Sequence, residues 1–424
     1  MRKVFISFLG VGAYKEVLYQ WKGREVAHSF VQYAELACMG QGYFDAVYIA
    51  LTPKSKETHW DNLAAALASL GYTQPHLILL DDDFDPEKQW SWFEAILARI
   101  QHKDSLYVDM THGFRAMPIV FSAALNFLQK ARSVHLAHVW YGAFVPGNPK
   151  AAIVDMRDFY VINEWSDAVA RLVEDADARK LAEVAAQTDD SRAGELNDPD
   201  LIQAFEDLTG VLRNVDIHQV RKKASKALGL VAEKYDTASE TGRILLELVR
   251  DKFIGLVLKE PESGRYDADY FELQLQITRL LLEHRLYMQA FTVMRECIAS
   301  VGLIRNPKAS TLSKQGRRQR EKAEVFVNMI QNDRDKWRFS GDHEEMKEKL
   351  LAFYEELDSL GIMAVLKSFC KELVHYRNGF DHAWTAKKEA FTDIAEKGDF
   401  FLAELGRVIG ACLEHGILEK KQDA

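Results

Sequence analysis

"YVDMTHGFRAMP", Tyr107 to Pro118, opens as the end of a strand and closes as the start of a helix, and between them it places Asp109, Thr111, His112, Gly113 and Arg115. An apolar run that breaks into hydrogen-bonding residues and then takes up helical periodicity marks a strand-to-helix loop of an α/β sheet. In such sheets ligands bind beyond the carboxyl ends of the strands, so chemistry is expected in this loop. Thr111 and His112 can reach ribose hydroxyls or base edges, Gly113 exposes its amide, and the N-terminus of the following helix favours an anion. The same residues admit a plainer reading, in which Asp109 and Thr111 only cap that helix.

Outward from this loop, "KVFISFL", "DAVYIAL", "HLILL", "SLYVDM" and "VHLAHVWY" read as strands, interleaved with amphipathic stretches such as "NLAAALASLG" and "FEAILARI". That alternation over the first 160 residues predicts a mostly parallel α/β sheet. "SFLGVGAYKEV" puts Gly10 and Gly12 directly after the first strand, where backbone amides can approach a phosphate or a sugar edge. It is not a dinucleotide fingerprint, because Lys15 stands where the third glycine belongs and no acidic residue ends the second strand at ribose-binding spacing. Asp81, Asp82, Asp83 and Asp85 invite a metal reading, but with Pro86 behind them they describe a solvated turn with Asp85 as N-cap and Pro86 at the first helical position. From "NEWSDAVARLVEDADARKLAEVA" onward helical periodicity dominates to the end.

With 424 residues the chain exceeds one ordinary domain. Its 48% hydrophobic and 28% charged residues are those of a globular protein, and no stretch approaches the ~18 apolar residues of a membrane span, which predicts a cytoplasmic protein. Cys38, Cys297, Cys370 and Cys412 are far apart and are expected to be small core residues. A net charge of -9 argues against unspecific nucleic-acid binding, so any such contact must be local. Lys308, Lys314, Arg317, Arg318, Arg320 and Lys322 supply one local basic stretch, as an RNA path or as a solvated helix.

The string D-x-T-H-G-x-R-x-x-P, from Asp109 to Pro118, resembles the signature of CRISPR-associated proteins with an N-terminal CARF domain, in the DxTHG-motif branch of the type III CARF-HEPN ribonucleases. The resemblance implies a Rossmann-like domain that dimerises and binds a cyclic oligoadenylate across its two-fold axis. Gly10, Gly12, Tyr14 and Lys15 would form one wall of that pocket and Thr111, His112, Gly113 and Arg115 the other. It also implies an all-α C-terminal region, with residues 1–162 as the sensing domain, 163–265 as connecting helices and 266–424 as a HEPN ribonuclease domain.

"HYRNGFDHAW", His375 to Trp384, fits the R-x4-H pattern of that family's catalytic domain, a loose pattern that a polar helix end with a solvated His382 also produces. Cutting RNA without a metal requires managing the proton of an attacking 2′-hydroxyl and stabilising charge on the phosphate oxygens. His382 suits the first task and Arg377 the second. Positions five apart stand about 140° apart around a helix, so one protomer is a poor site, and a two-fold dimer that brings two copies together repairs it. Asn378 and Asp381 would orient the pair. "VLRNVDIHQV" repeats the pattern at Arg213, Asn214 and His218, in the connecting region, where a structural role is expected. Arg295 and Glu296 form a candidate pair beside the site, since by the resemblance an acidic residue on this helix supports the active-site helices.

The expectation is therefore a homodimeric endoribonuclease that is switched on by cyclic oligoadenylate, acts on single-stranded RNA and uses no metal, no other cofactor and no membrane. Two alternatives stay open. One is a ring nuclease that degrades the messenger in the CARF pocket, and the other is a noncatalytic sensor that binds a partner.

Overall fold

The computed structural model describes residues 1–81, 85–112, 117–145, 147–187, 195–257, 264–339, 346–384 and 393–419. It divides into two compact units, Met1–Asn163 and Glu164–Ala424. The connecting region and the helical domain expected from the sequence both fall in the second.

The first unit is built on β1 (Lys3–Leu9), β2 (Val17–Trp21), β3 (Arg24–His28), β4 (Ala46–Leu51), β5 (His76–Leu79), β6 (Ser105–Asp109), β7 (His135–Ala143) and β8 (Lys150–Asp155). Its helices are α1 (Val31–Met39), α2 (Pro53–Ser69), α3 (Pro86–Leu97), α4 (Met117–Arg132) and α5 (Arg157–Asp175), within which the unit boundary falls. The strands form one sheet in the order β3-β2-β8-β7-β6-β1-β4-β5. β1 pairs in parallel with β4, from Val4 opposite Ala46 to Leu9 opposite Leu51, and in parallel with β6 on its other edge.

Helices cover both faces of this sheet, which is why β1 reads as an unbroken apolar run. Val4, Ile6 and Phe8 point into the core under α3 and α4, with Phe121 and Leu125. Phe5 and Leu9 point the other way, to Val31 of α1 and Leu63 and Leu67 of α2. The alternation is the two-residue period of a strand. Because β4 and β6 lie on opposite sides of β1, the connections leaving the carboxyl ends of β1 and β6 part there and open a crevice, the place where open α/β sheets bind ligands.

All five strands read from the sequence are present. The β2–β3 hairpin and β8 are additional, and they bring the antiparallel pairs β2–β3 and β7–β8 that make the sheet mixed. The hairpin turns through Lys22 and Gly23, both with positive φ (46° and 80°), as a two-residue turn that follows the strand twist requires. Asp85 accepts from the Glu87 N–H at 2.9 Å with Pro86 at the first helical position, and Asp81 pairs with Lys88, as the solvated-turn reading expects. Asp82 and Asp83 lie outside the described residues.

Beyond α5 the described residues of the second unit contain helices and no strand: α6 (Arg179–Gln187), α7 (Pro199–Arg213), α8 (Ile217–Tyr235), α9 (Glu240–Phe253), α10 (Ala268–Glu283), α11 (Tyr287–Val301), α12 (Lys314–Lys322), α13 (Glu324–Gln331), α14 (Lys347–Ser359), α15 (Ile362–Asp381) and α16 (Ile394–Glu414). Phe291 of α11 stands at the centre of one aromatic cluster, with ring centroids 5.7 Å from Tyr376 and 5.5 Å from Phe401. All four cysteines are buried thiols. Among the described residues no helix is long and apolar enough to cross a membrane.

Candidate functional sites in the two units

At the carboxyl edge of the sheet, Asp109 is fully buried and accepts from the Ser7 hydroxyl at 2.6 Å and from the Thr111 N–H at 2.8 Å. Thr111 in turn accepts the Gly142 N–H at 2.7 Å through its hydroxyl. A Cβ at Gly142 would stand 3.0 Å from Val31 and 3.3 Å from Thr111, so a larger residue would push this tie apart. Asp109 and Thr111 thus pin the turn after β6 to β1 and β7. Residues 113–116, which lead from this turn into α4 and on which the capping alternative falls, lie outside the described residues.

The turn after β1 closes on itself, the Gly10 N–H donating to the Tyr14 hydroxyl at 2.9 Å. The Tyr14 ring then meets the His112 imidazole edge-on, with centroids 4.8 Å apart. One residue from each loop singled out in the sequence thus touches the other across the crevice. Gly12 and Lys15 are exposed beside them, and a Cβ at Gly12 would meet nothing within 4 Å, so the chain itself imposes no steric need for glycine there. Gly113 and Arg115 lie outside the described residues.

Burial raises the Asp109 carboxyl and lowers the His112 imidazole, each effect partly offset by the other's charge. Beneath them Glu35 of α1 is fully buried with no hydrogen-bond partner on either oxygen, and burial together with Asp109 pushes its carboxyl well above the usual 4.5. The folded chain therefore holds a proton on Glu35 that the unfolded chain releases. Folding takes up that proton between the two values, so this group's contribution to stability falls as pH rises through the window. Glu35→Gln is expected to flatten the decline in stability as pH rises above the usual carboxylate range, measured by urea unfolding at each pH. An unchanged slope would mean that Glu35 is ionised in the fold.

In the helical unit, α15 delivers the second group of candidates. Its apolar stripe, including Leu366, Phe369, Cys370, Leu373 and Tyr376, is buried, which leaves Arg377, Asn378 and Asp381 on its last turn and His382 as the residue that ends it, with φ −99°. The Arg377 guanidinium pairs with Asp381, and its Nε is buried with no hydrogen-bond partner. The His382 N–H donates to the Asn378 carbonyl at 3.1 Å. Tyr376 donates its hydroxyl to Asp393 at 2.7 Å, tying this turn to the start of α16.

The other R-N-x-x-x-H copy is placed differently. Arg213 donates to the carbonyls of Ala176 at 2.9 Å and Asp175 at 2.8 Å, and Asn214 ends α7. Its guanidinium is engaged in joining helices. Arg295 donates to Glu296 at 2.9 Å as a pair, and both belong to a wider network in which Arg320 donates to Glu296 at 2.5 Å and to Glu324 at 3.0 Å. Glu324, also paired with Arg295, was not singled out in the sequence, because Arg295 lies on another helix 29 positions earlier. Within the basic stretch Arg320 is thus engaged with two carboxylates, whereas Lys314 and Arg318 are exposed and Arg317 has no described side chain.

On the first unit, a cavity of about 440 Å³ opens among Met110, Pro118, Tyr141, Met156 and Phe159. Around it Ile119 is 74% and Phe159 60% exposed, an apolar surface of the kind that marks an interaction site.

No family model matches the chain. It is similar to the CRISPR-associated protein MJ1674 of Methanocaldococcus jannaschii, 21% identical over 224 residues, which is 50% of this chain and 32% of that protein. Among solved structures, Enterococcus italicus Csm6 bound to cyclic hexa-2′-fluoro-hexa-dAMP aligns at 12% identity over 99% of this chain and 96% of that one, with a TM-score of 0.36.

Proposed function

We propose that the protein is a CRISPR-associated, homodimeric endoribonuclease in which a cyclic oligoadenylate bound at the sheet edge of the first unit switches on cleavage of single-stranded RNA by the last turn of α15. What carries the proposal is that turn: an arginine oriented by a carboxylate four residues on, and an imidazole immediately after, at a helix end. His382 would manage the proton of the 2′-hydroxyl that attacks the adjacent phosphorus in line. Arg377 would stabilise the charge growing on the phosphate oxygens, a task suited to a fixed fork of donors. No metal enters this chemistry.

Residues five apart on one chain do not share a face, so the active cleft combines two protomers. The apolar surface at Ile119 and Phe159 supports pairing of the first units as well. Activation is allosteric in the strict sense that the messenger binds the cutting arrangement of the dimer better than the resting one.

The test is a fluorogenic single-stranded RNA incubated with the full chain and cyclic tri-, tetra- or hexa-adenylate in turn, with EDTA in a parallel series. Cleavage that depends on one of the rings and persists in EDTA is the expected result. Linear adenylates without RNA cleavage would instead assign the chain as a ring nuclease, and neither product would assign it as a noncatalytic sensor.

A further inference from the structure

We infer that His59 of α2, together with His112, forms part of the nucleotide-binding pocket and contacts polar atoms of the cyclic oligoadenylate; this deepens the function proposed above and rests on it. α2 starts at Pro53, directly after β4, where Thr52 and Ser55 form a reciprocal capping box, so its first turns stand at the same carboxyl edge of the sheet as the loops after β1 and β6. The His59 ring lies 4.8 Å from Tyr14 with an interplanar angle of 84°, and the His112 ring lies 4.8 Å from Tyr14 at 75°. Tyr14 is therefore the shared neighbour of two imidazoles delivered by separate elements.

In both imidazoles Nε2 is buried and has no hydrogen-bond partner in the protein. Leaving such an atom unmade costs about 1–3 kcal/mol, and native proteins rarely do so. Two of them around one aromatic ring, at the crevice where such sheets bind ligands, point to a ligand rich in donors and acceptors. A nucleotide ring carries these as ribose hydroxyls and phosphate oxygens. Packing alone explains a ring at position 59 and does not explain why it should be an imidazole.

The experiment separates the ring from its nitrogens. Cyclic tri-, tetra- and hexa-adenylate are titrated by calorimetry into the full-length wild type, His59→Phe and His59→Gln. His59→Phe keeps an aromatic ring against Tyr14 and removes both nitrogens. It is expected to bind the recognised messenger about tenfold more weakly or worse, with its unfolding midpoint in the absence of messenger at or above that of wild type. His59→Gln, which restores a polar tip, is expected to recover part of the affinity. If wild type binds a ring and His59→Phe binds it equally well, His59 is packing alone and the inference is overturned while the messenger assignment stands. If wild type binds none of the rings, the messenger assignment itself fails and this inference with it.

Discussion

Replacing His382 with alanine is expected to lower messenger-dependent RNA cleavage by about 10²–10⁴-fold, the range for losing a general acid or base, while calorimetric binding of the cyclic oligoadenylate stays as in wild type. The separation follows from the architecture. Met1–Asn163 and Glu164–Ala424 are distinct compact units, and His382 lies in the second, at the end of α15. The His382 side chain is exposed, so removing the imidazole is expected to leave the aromatic cluster around Phe291 in place. Arg377→Lys is expected to fail as well, because an ammonium cannot reproduce the guanidinium fork that pairs with Asp381. The second copy of the motif supplies the control. His218→Ala is expected to leave cleavage unchanged, since Arg213 beside it is committed to the carbonyls of Asp175 and Ala176. Full activity of His382→Ala, or loss of activity in His218→Ala, would move the assignment away from α15.

The parallel core of the sheet was legible because strands buried on both faces, such as Val4 to Leu9, must be apolar almost throughout, in short runs bounded by turn residues. The hairpin Val17–His28 was not, because β3 is half exposed and its residues Arg24 to His28 carry no apolar run. β8, "KAAIVD", alternates buried and exposed positions and carries only Ala151 and Ile153 on its buried side, too short an apolar pattern to stand out. The same division holds for the sites. Loops that follow strands announce themselves, so Gly10, Thr111 and His112 stand out as candidates from the order of elements, whereas Tyr14 entered only through the family resemblance. His59 could not, for it sits inside an amphipathic helix and becomes interesting only when folding sets its ring against Tyr14. The tie of Asp109 to Ser7 was hidden for a related reason: Ser7 lies 102 positions earlier, and only sheet pairing brings the two together.

Gly379→Ala sets two effects of opposite sign against each other. By helix propensity alone, alanine in the interior of α15 would stabilise by about 0.5–1 kcal/mol. The structure places the Trp384 indole directly over Gly379, so that an added Cβ would fall within the space of its ring atoms. That indole is not a loose neighbour. Past His382 the chain turns back through Ala383 and Trp384, both with positive φ (47° and 57°), and the Trp384 N–H donates to the Gly379 carbonyl at 2.9 Å while the Ala383 N–H donates to Phe380 at 3.1 Å. This pair of bonds is the closing pattern that satisfies the last carbonyls of a helix. The ring also lies 5.2 Å from Phe380 and 6.3 Å from Tyr376, which is itself fixed to Asp393. Overlap therefore outweighs propensity. The variant is expected to lose about 1–3 kcal/mol in chemical denaturation. Displacing the turn that carries His382 by even an ångström is expected to reduce cleavage by about 10²-fold. In a double-mutant cycle, Trp384→Ala removes the ring that the new methyl group strikes, so adding Gly379→Ala to it should cost little more in stability, a coupling of the size seen between residues in direct contact. A Gly379→Ala protein that is more stable than wild type and equally active would mean that the indole does not lie where this turn places it, and that something other than the fold-back positions His382.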